Sequence, residues 1–179
     1  MAMFKAFVPN VEVNGETVLS VVDGMGAFQT QALQILAECG IKDPVAGTWY
    51  AQQAWLDAFR RISDSVGPKT LFSIGLKIPE HAKFPPEIQD AHAALAAIDV
   101  AYHMNHRHGE IGHYHYQKTG ETSAVITGAN PYPCDFDRGI VEAMVRKFAP
   151  QSRVSAVRHD DKAPCRKKGG ESCRYDVSW

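Results

Sequence analysis

The chain has 179 residues, 45% of them hydrophobic and 22% charged, with a formal net charge of −1. These values suit one soluble globular domain (1–179) with a sizeable core, and they leave no bulk charge to recruit nucleic acid or an anionic membrane. No apolar run approaches the roughly 20 residues that span a bilayer, no signal-peptide core opens the chain, and four cysteines are too sparse for a disulfide scaffold; the expected compartment is the cytoplasm.

Phe4–Val13 has extended character, Asn14-Gly15 is a hairpin signal, and Thr17–Val22 is β-branched, so strand–turn–strand is expected, with Pro9 marking an edge. Asp23 then stands as an N-cap for a helix that places Met25, Phe28, Ala32, Ile35, Leu36 and Cys39 on one stripe. Asp43-Pro44 predicts a helix start, with Trp49, Leu56, Phe59 and Ile62 buried. Leu71–Ile78 is short and carries Gly75, which leaves helix or strand open.

A helix is expected from about Pro86 to His106, with Ile88, Ala91, Leu95, Ile98 and Tyr102 on its apolar face. His92, Asp99, His103 and His106 share a neighbouring polar stripe. Two strands follow, Gly112–Lys118 and Thr122–Thr127, and then a helix capped by Asp135 or Asp137 that buries Ile140, Val141, Met144, Val145 and Phe148. The chain closes with a strand over Arg153–His159, a polar turn through Gly169-Gly170, and a strand in which Cys173, Tyr175, Val177 and Trp179 face one way. N-terminal strand and helix (about 1–85) elaborate a core formed by about 86–179.

Cys165 and Cys173 flank the last hairpin loop, and Cys134 precedes the helix that packs on it. Three thiolates meeting from two segments suit tetrahedral zinc, with an acid, a histidine or water as the fourth ligand; small apolar core residues and a regulatory disulfide are the alternatives. His103 and His106 lie three apart on a helix, and His113 and His115 share a strand face; a solvent-facing polar stripe is the first reading of these imidazoles, an interface or ligand pocket the second and a catalytic metal the third. The Arg166-Lys167-Lys168 tip is expected to be a solvated turn. Gly-rich phosphate loops, nucleophile elbows and dinucleotide fingerprints are absent.

The segment DFDRGIVEAMVRKF, the strand RVSAVRH and the closing CRKKGGESCRYDVSW resemble the 4-vinyl reductase-type domain, a small-ligand or hydrocarbon-binding module. The resemblance covers about residues 130–179. It implies an α+β fold, a twisted antiparallel sheet with helices mainly on one face, shared with TRAPP-type subunits and related to haem–nitric-oxide-binding sensors. It also implies structural zinc at Cys134, Cys165 and Cys173. The family's fourth ligand, a glutamate, falls at Lys162 here, so Asp161, Asp160 or His159 would have to serve instead, and Asp161 is taken as the ligand.

Two classes of function follow. One is a non-catalytic sensor or carrier, a homodimer that binds a small apolar or aromatic ligand through Tyr102, His103, His106, His113, His115, Tyr116 and Phe148 and signals to a partner protein. The other is a metal-dependent enzyme using the cysteines or the His92/Asp99/His103/His106 face. A haem-based gas sensor is a weaker third reading, because one histidine suffices for haem iron while the CxxCH attachment pattern is absent.

Overall fold

The computed structural model describes residues 3–152 and 155–179. Among them are six α-helices and two antiparallel sheets, an α+β fold as expected. The first sheet has the order β2–β1–β3, from Trp49–Ala51, Glu12–Asn14 and His106–Arg107. The second has the order β4–β5–β7–β6, from His113–Gly120, Ser123–Ala129, Cys173–Ser178 and Ala156–His159. Of the strand expected over Arg153–His159, Arg153 and Val154 lie outside the described residues.

The N-terminal hairpin is not formed. Asn14 ends β1 and caps helix α1, Gly15–Gly24, by accepting a hydrogen bond from the Thr17 amide at 3.0 Å. Asn-Gly serves a turn or a helix start equally well, and here packing decides. Thr17, Val18 and Val21 are buried on one helical face, which overrides their β-branched propensity. Gly15 is required because a Cβ there would lie 1.9 Å from the Val45 carbonyl oxygen.

Helix α2, Gln29–Glu38, follows a short 3-10 turn, and Cys39 at its end is half-buried rather than fully in the core. No helix starts at Pro44. Asp43 takes a φ of 45°, the chain enters β2 at Trp49, and α3 runs over Gln52–Ser65. The ambiguous apolar segment is helix α4, Pro68–His81, with Pro68 in its first turn, where a proline's missing N–H costs nothing. Helix α5 spans Ala91–Met104, shorter than expected because Asp90 caps it and His106 has entered β3. Helix α6 spans Cys134–Phe148.

The core is layered around α4 and α6. Cβ atoms at Gly75 and Gly139 would lie 2.1 Å from the Phe136 carbonyl oxygen and 2.3 Å from that of Phe72, so two glycines let these helices touch backbone to backbone. One cluster of buried apolar side chains continues from Phe4 to Val177, through all six helices and the second sheet. Among the described residues, no helix is long and apolar enough to cross a membrane.

Candidate functional site

The helices and the second sheet line a largely buried apolar cavity of about 40 Å³. Its wall takes Trp55 from α3, Ile98 and Tyr102 from α5, Tyr114 from β4, Tyr132 from the β5–α6 loop, and Phe136 and Ile140 from α6. Helical spacing puts Phe136 and Ile140 on one face of α6, and strand alternation turns Tyr114 inward. The rings meet edge to face, Trp55 to Tyr132 at 5.2 Å and Tyr102 to Tyr114 at 5.2 Å, the favourable arrangement of aromatic quadrupoles.

A buried hydrogen-bond chain runs along this wall, and its polarity follows from one fixed group. His106 Nδ1 lies 2.8 Å from the Tyr102 carbonyl oxygen, which can only accept. Nδ1 therefore carries the proton and Nε2 accepts from the Tyr132 hydroxyl at 2.6 Å. The Tyr132 oxygen in turn accepts from Gln52 Nε2 at 3.0 Å. Burial lowers the His106 pKa to about 4 and pushes that of Tyr132 upward, so both are neutral near pH 7. Gln52 Oε1 and Trp55 Nε1 are buried on the same helix and have no hydrogen-bond partner.

The second constellation lies at the other end of Tyr132. Cys134 opens α6, Cys173 opens β7, and Cys165 precedes a 3-10 turn over Arg166–Lys168. The Cys134 Sγ is 3.0 Å from that of Cys173 and 3.5 Å from that of Cys165, and Cys173 and Cys165 are 3.6 Å apart. His159, at the end of β6, completes a set of four whose donor atoms all lie within 4.8 Å of one another. Its Nδ1 lies 3.0 Å from Asp161 Oδ1, and its Nε2 is buried without a partner. Asp161 is thus not among the four; its exposed carboxylate holds the imidazole. All four cysteines of the chain are free. The shared hydrogen with Cys134 and the adjacent Arg166 guanidinium hold the Cys173 thiol well below its ordinary pKa, and the same hydrogen bond, with burial, pushes Cys134 up.

Arg166 joins the two constellations. Its expected place on a solvated tip holds for Lys167 and Lys168 but not for Arg166, which is 3% exposed. Its guanidinium donates to Cys173 Sγ at 3.3 Å, to the carbonyls of Asn130 at 2.6 Å and Tyr132 at 2.7 Å, and to the buried Asp137 carboxylate. Asp137 also accepts from the Tyr114 hydroxyl at 2.6 Å. Burial opposes the Arg166 charge, but Asp137, Tyr175 and Cys173 together hold its pKa above the ordinary value.

Of the residues expected to bind ligand, Tyr102 and His106 line the cavity. His103, His113 and His115 are exposed on the outer surface, and Asp99 gathers the first two, with donor atoms within 4.8 Å. The one-residue alternation of β4 that buries Tyr114 faces His113 and His115 to solvent. Tyr116 donates to or accepts from His92 Nδ1 at 2.7 Å near the β-sheet edge, and Phe148 lines a separate outer groove. The β4 strand and the helix ending at Phe148 were expected to wall the cavity, and they do so through Tyr114, Phe136 and Ile140, whereas Trp55 and Tyr132 were not singled out, because no motif marks them.

No protein-family model matches the chain, and no curated protein matches it in sequence. Solved structures do share the fold. An H-NOX protein from S. oneidensis in its Fe(II)NO ligation state superposes with a TM-score of 0.69 at 14% identity, covering 92% of this chain and 98% of that one. A structure concerned with haem redox potential under protein-induced porphyrin distortion gives 0.64 at 11% identity, covering 93% and 99%. An oxygen-binding H-NOX domain related to soluble guanylate cyclases, as its oxygen complex, gives 0.62 at 11% identity, covering 92% and 91%. Helices and sheets therefore share the H-NOX arrangement, whereas these comparisons do not confirm the 4-vinyl reductase and TRAPP likenesses.

Proposed function

We propose that the chain is a non-catalytic sensing module that takes a small neutral ligand into the aromatic cavity and is clasped by zinc at the cysteine centre. The observation that carries this reading is the largely buried cavity, whose wall is apolar and uncharged: Asn105 and His106 are bonded within the protein, and Trp55 Nε1 is left as a neutral donor without a partner. Such a wall offers no charge to a reacting substrate and no acid–base pair poised near neutrality. Similarity to nitric-oxide and oxygen complexes of H-NOX proteins supports a small-ligand role. In this reading the signal passes to a partner protein.

Haem is the cofactor that the fold would suggest, and the residues present do not fit it. His106 is a buried neutral imidazole, as an axial ligand must be, but Tyr132 occupies its Nε2. In this conformation the cavity, at about 40 Å³, is far below the ~150 Å³ that holds a benzene ring. No lysine or arginine lines it to receive the propionates. The expected absorption spectrum of the purified protein lacks a Soret band; a stoichiometric Soret band abolished by His106→Ala would replace this reading with a haem sensor.

Zinc fits the cysteine centre. Ideal tetrahedral thiolates stand about 3.8 Å apart, given Zn–S bonds near ~2.3 Å; Cys165 lies 3.5 and 3.6 Å from the other two sulfurs, near that spacing, and Cys134 and Cys173, at 3.0 Å, would move apart to admit the ion. A metal would also satisfy the unpartnered His159 Nε2, with Asp161 fixing the ring from behind, a common arrangement around metal-bound histidine. Three thiolates and an imidazole leave no open position, which makes the centre structural. Elemental analysis should give one zinc per chain. Cys134→Ser and His159→Ala should each lose the metal and lower the melting temperature, and metal-free protein of unchanged stability would refute the clasp.

A further inference from the structure

Among the described residues, the cavity lining is buried on nearly every side. Of its lining residues only Ala82 and Phe84 are partly exposed; all the others are buried. These same two residues also line an outer groove of about 330 Å³, whose inner walls are Pro79, Pro85, Ile88, Met144 and Phe148 and whose rim carries the charged Glu87 and Lys147. Ala82 contributes a single methyl group. The Phe84 side chain is thus the main group standing between the buried cavity and a groove open to solvent.

The backbone around Phe84 is held on both sides, while its ring, partly buried, packs against the edge of the core. The Lys83 amide donates to Asn105 Oδ1 at 2.9 Å, and Asn105 Nδ2 donates to the Lys83 carbonyl at 2.7 Å. This two-point clamp fixes the residue before Phe84 against the end of α5. On the other side come Pro85 and Pro86, with stiff φ angles, and then Glu87 at a φ of 70°, a strained value for a residue with a Cβ. A segment pinned at one end and stiffened at the other resists wholesale opening, so rotation of the Phe84 ring about its own χ angles is the low-cost motion.

We infer that Phe84 is the gate of a ligand site formed when the cavity and the groove join, and that this site takes a neutral apolar molecule of about one aromatic ring. The inference rests on the sensing role proposed above. Joined, the two spaces reach the ~300–1,000 Å³ typical of sites for small organic ligands, whereas the closed cavity holds little more than a diatomic molecule. Trp55, Tyr102, Tyr132 and Phe136 present ring edges and faces to such an occupant. Asn105 and His106 already have protein partners and are neutral, and Trp55 Nε1 is an unpartnered neutral donor, so the cavity end of the site favours an uncharged group.

The test uses fluorobenzene as the probe, with fluorine NMR line shapes reporting affinity and exchange. The wild type should bind it, Phe84→Ala should exchange it roughly ten-fold faster or more, and Phe84→Trp should slow exchange by a similar factor. Phe84 is only partly buried, so both variants should fold, which circular dichroism checks. Binding to the wild type with exchange rates unmoved by either substitution would overturn the gate and leave the ligand role standing. Absence of binding to both the wild type and Phe84→Ala at millimolar probe would overturn the ligand cavity itself, and the gate with it.

Discussion

Arg166 shows how much of the site's energetics can sit in one side chain. Its side chain and that of Asp137 are both 0% exposed, and they form an ion pair. The charges are tolerated because each has several further partners, the Asn130 and Tyr132 carbonyls for Arg166 and the Tyr114 hydroxyl for Asp137. Breaking a buried pair by removing one partner strands the other charge, at a cost of about 3–5 kcal/mol. Arg166→Met should therefore lower unfolding free energy in urea by that amount, and adding Asp137→Asn should recover part of it. If the double variant were less stable than the sum of the two single ones, the stranded-charge account would fail. Nothing local in Arg-Lys-Lys distinguishes the first residue from its neighbours. The burial of Arg166 comes from Gly169 at a φ of 83° and from Gly170, where a Cβ would stand 2.8 Å from the Cys165 amide, and these fold the tip back onto the cysteines.

At the scale of elements, the second half of the chain was legible because its signals are local. Alternation marks β4 and β7, the apolar run Ala124-Val125-Ile126 marks β5, and the stripe Ile140, Val141, Met144 and Val145 marks α6. The first half misleads where a local signal has two uses. Asn14-Gly15 served as a cap instead of a turn, and Thr17–Val22 obeyed the core rather than its β propensity. Gly75 obscured α4 for a related reason: its partner, Gly139, is distant in sequence, and only the crossing of α4 with α6 explains both. A methyl group at Gly75 would have to displace the α6 backbone at Phe136. Gly75→Ala should therefore destabilise the protein by ~2 kcal/mol or more despite its better helix propensity, as read from thermal or urea unfolding. A neutral or stabilising outcome would mean that the two helices can separate freely.

Across the whole molecule, the cysteine centre and the cavity form one connected structure, from Cys173 through Arg166 to Tyr132 and on to His106. The cysteines and His106 were visible as candidates in the sequence. Their connection was not, because it depends on backbone carbonyls of the β5–α6 loop that no residue pattern encodes. The connection has a measurable consequence in acid. His106 is buried neutral with a pKa of about 4, against about 6.5 for an unfolded histidine. Between these values the unfolded chain binds a proton that the native one refuses, so stability is full above about pH 6.5 and falls as the pH drops toward 4. The fully developed loss is about 3 kcal/mol. His106→Gln cannot titrate, so its stability curve should be flatter than the wild type's through that window, and the difference between the two curves should vanish in slope above pH 7. The comparison isolates His106 from the acid lability of the thiolate centre, which both proteins share. Parallel curves from pH 7 to 4 would place His106 outside the buried, neutral chain through Tyr132 and Gln52, and with it the closed, uncharged cavity wall.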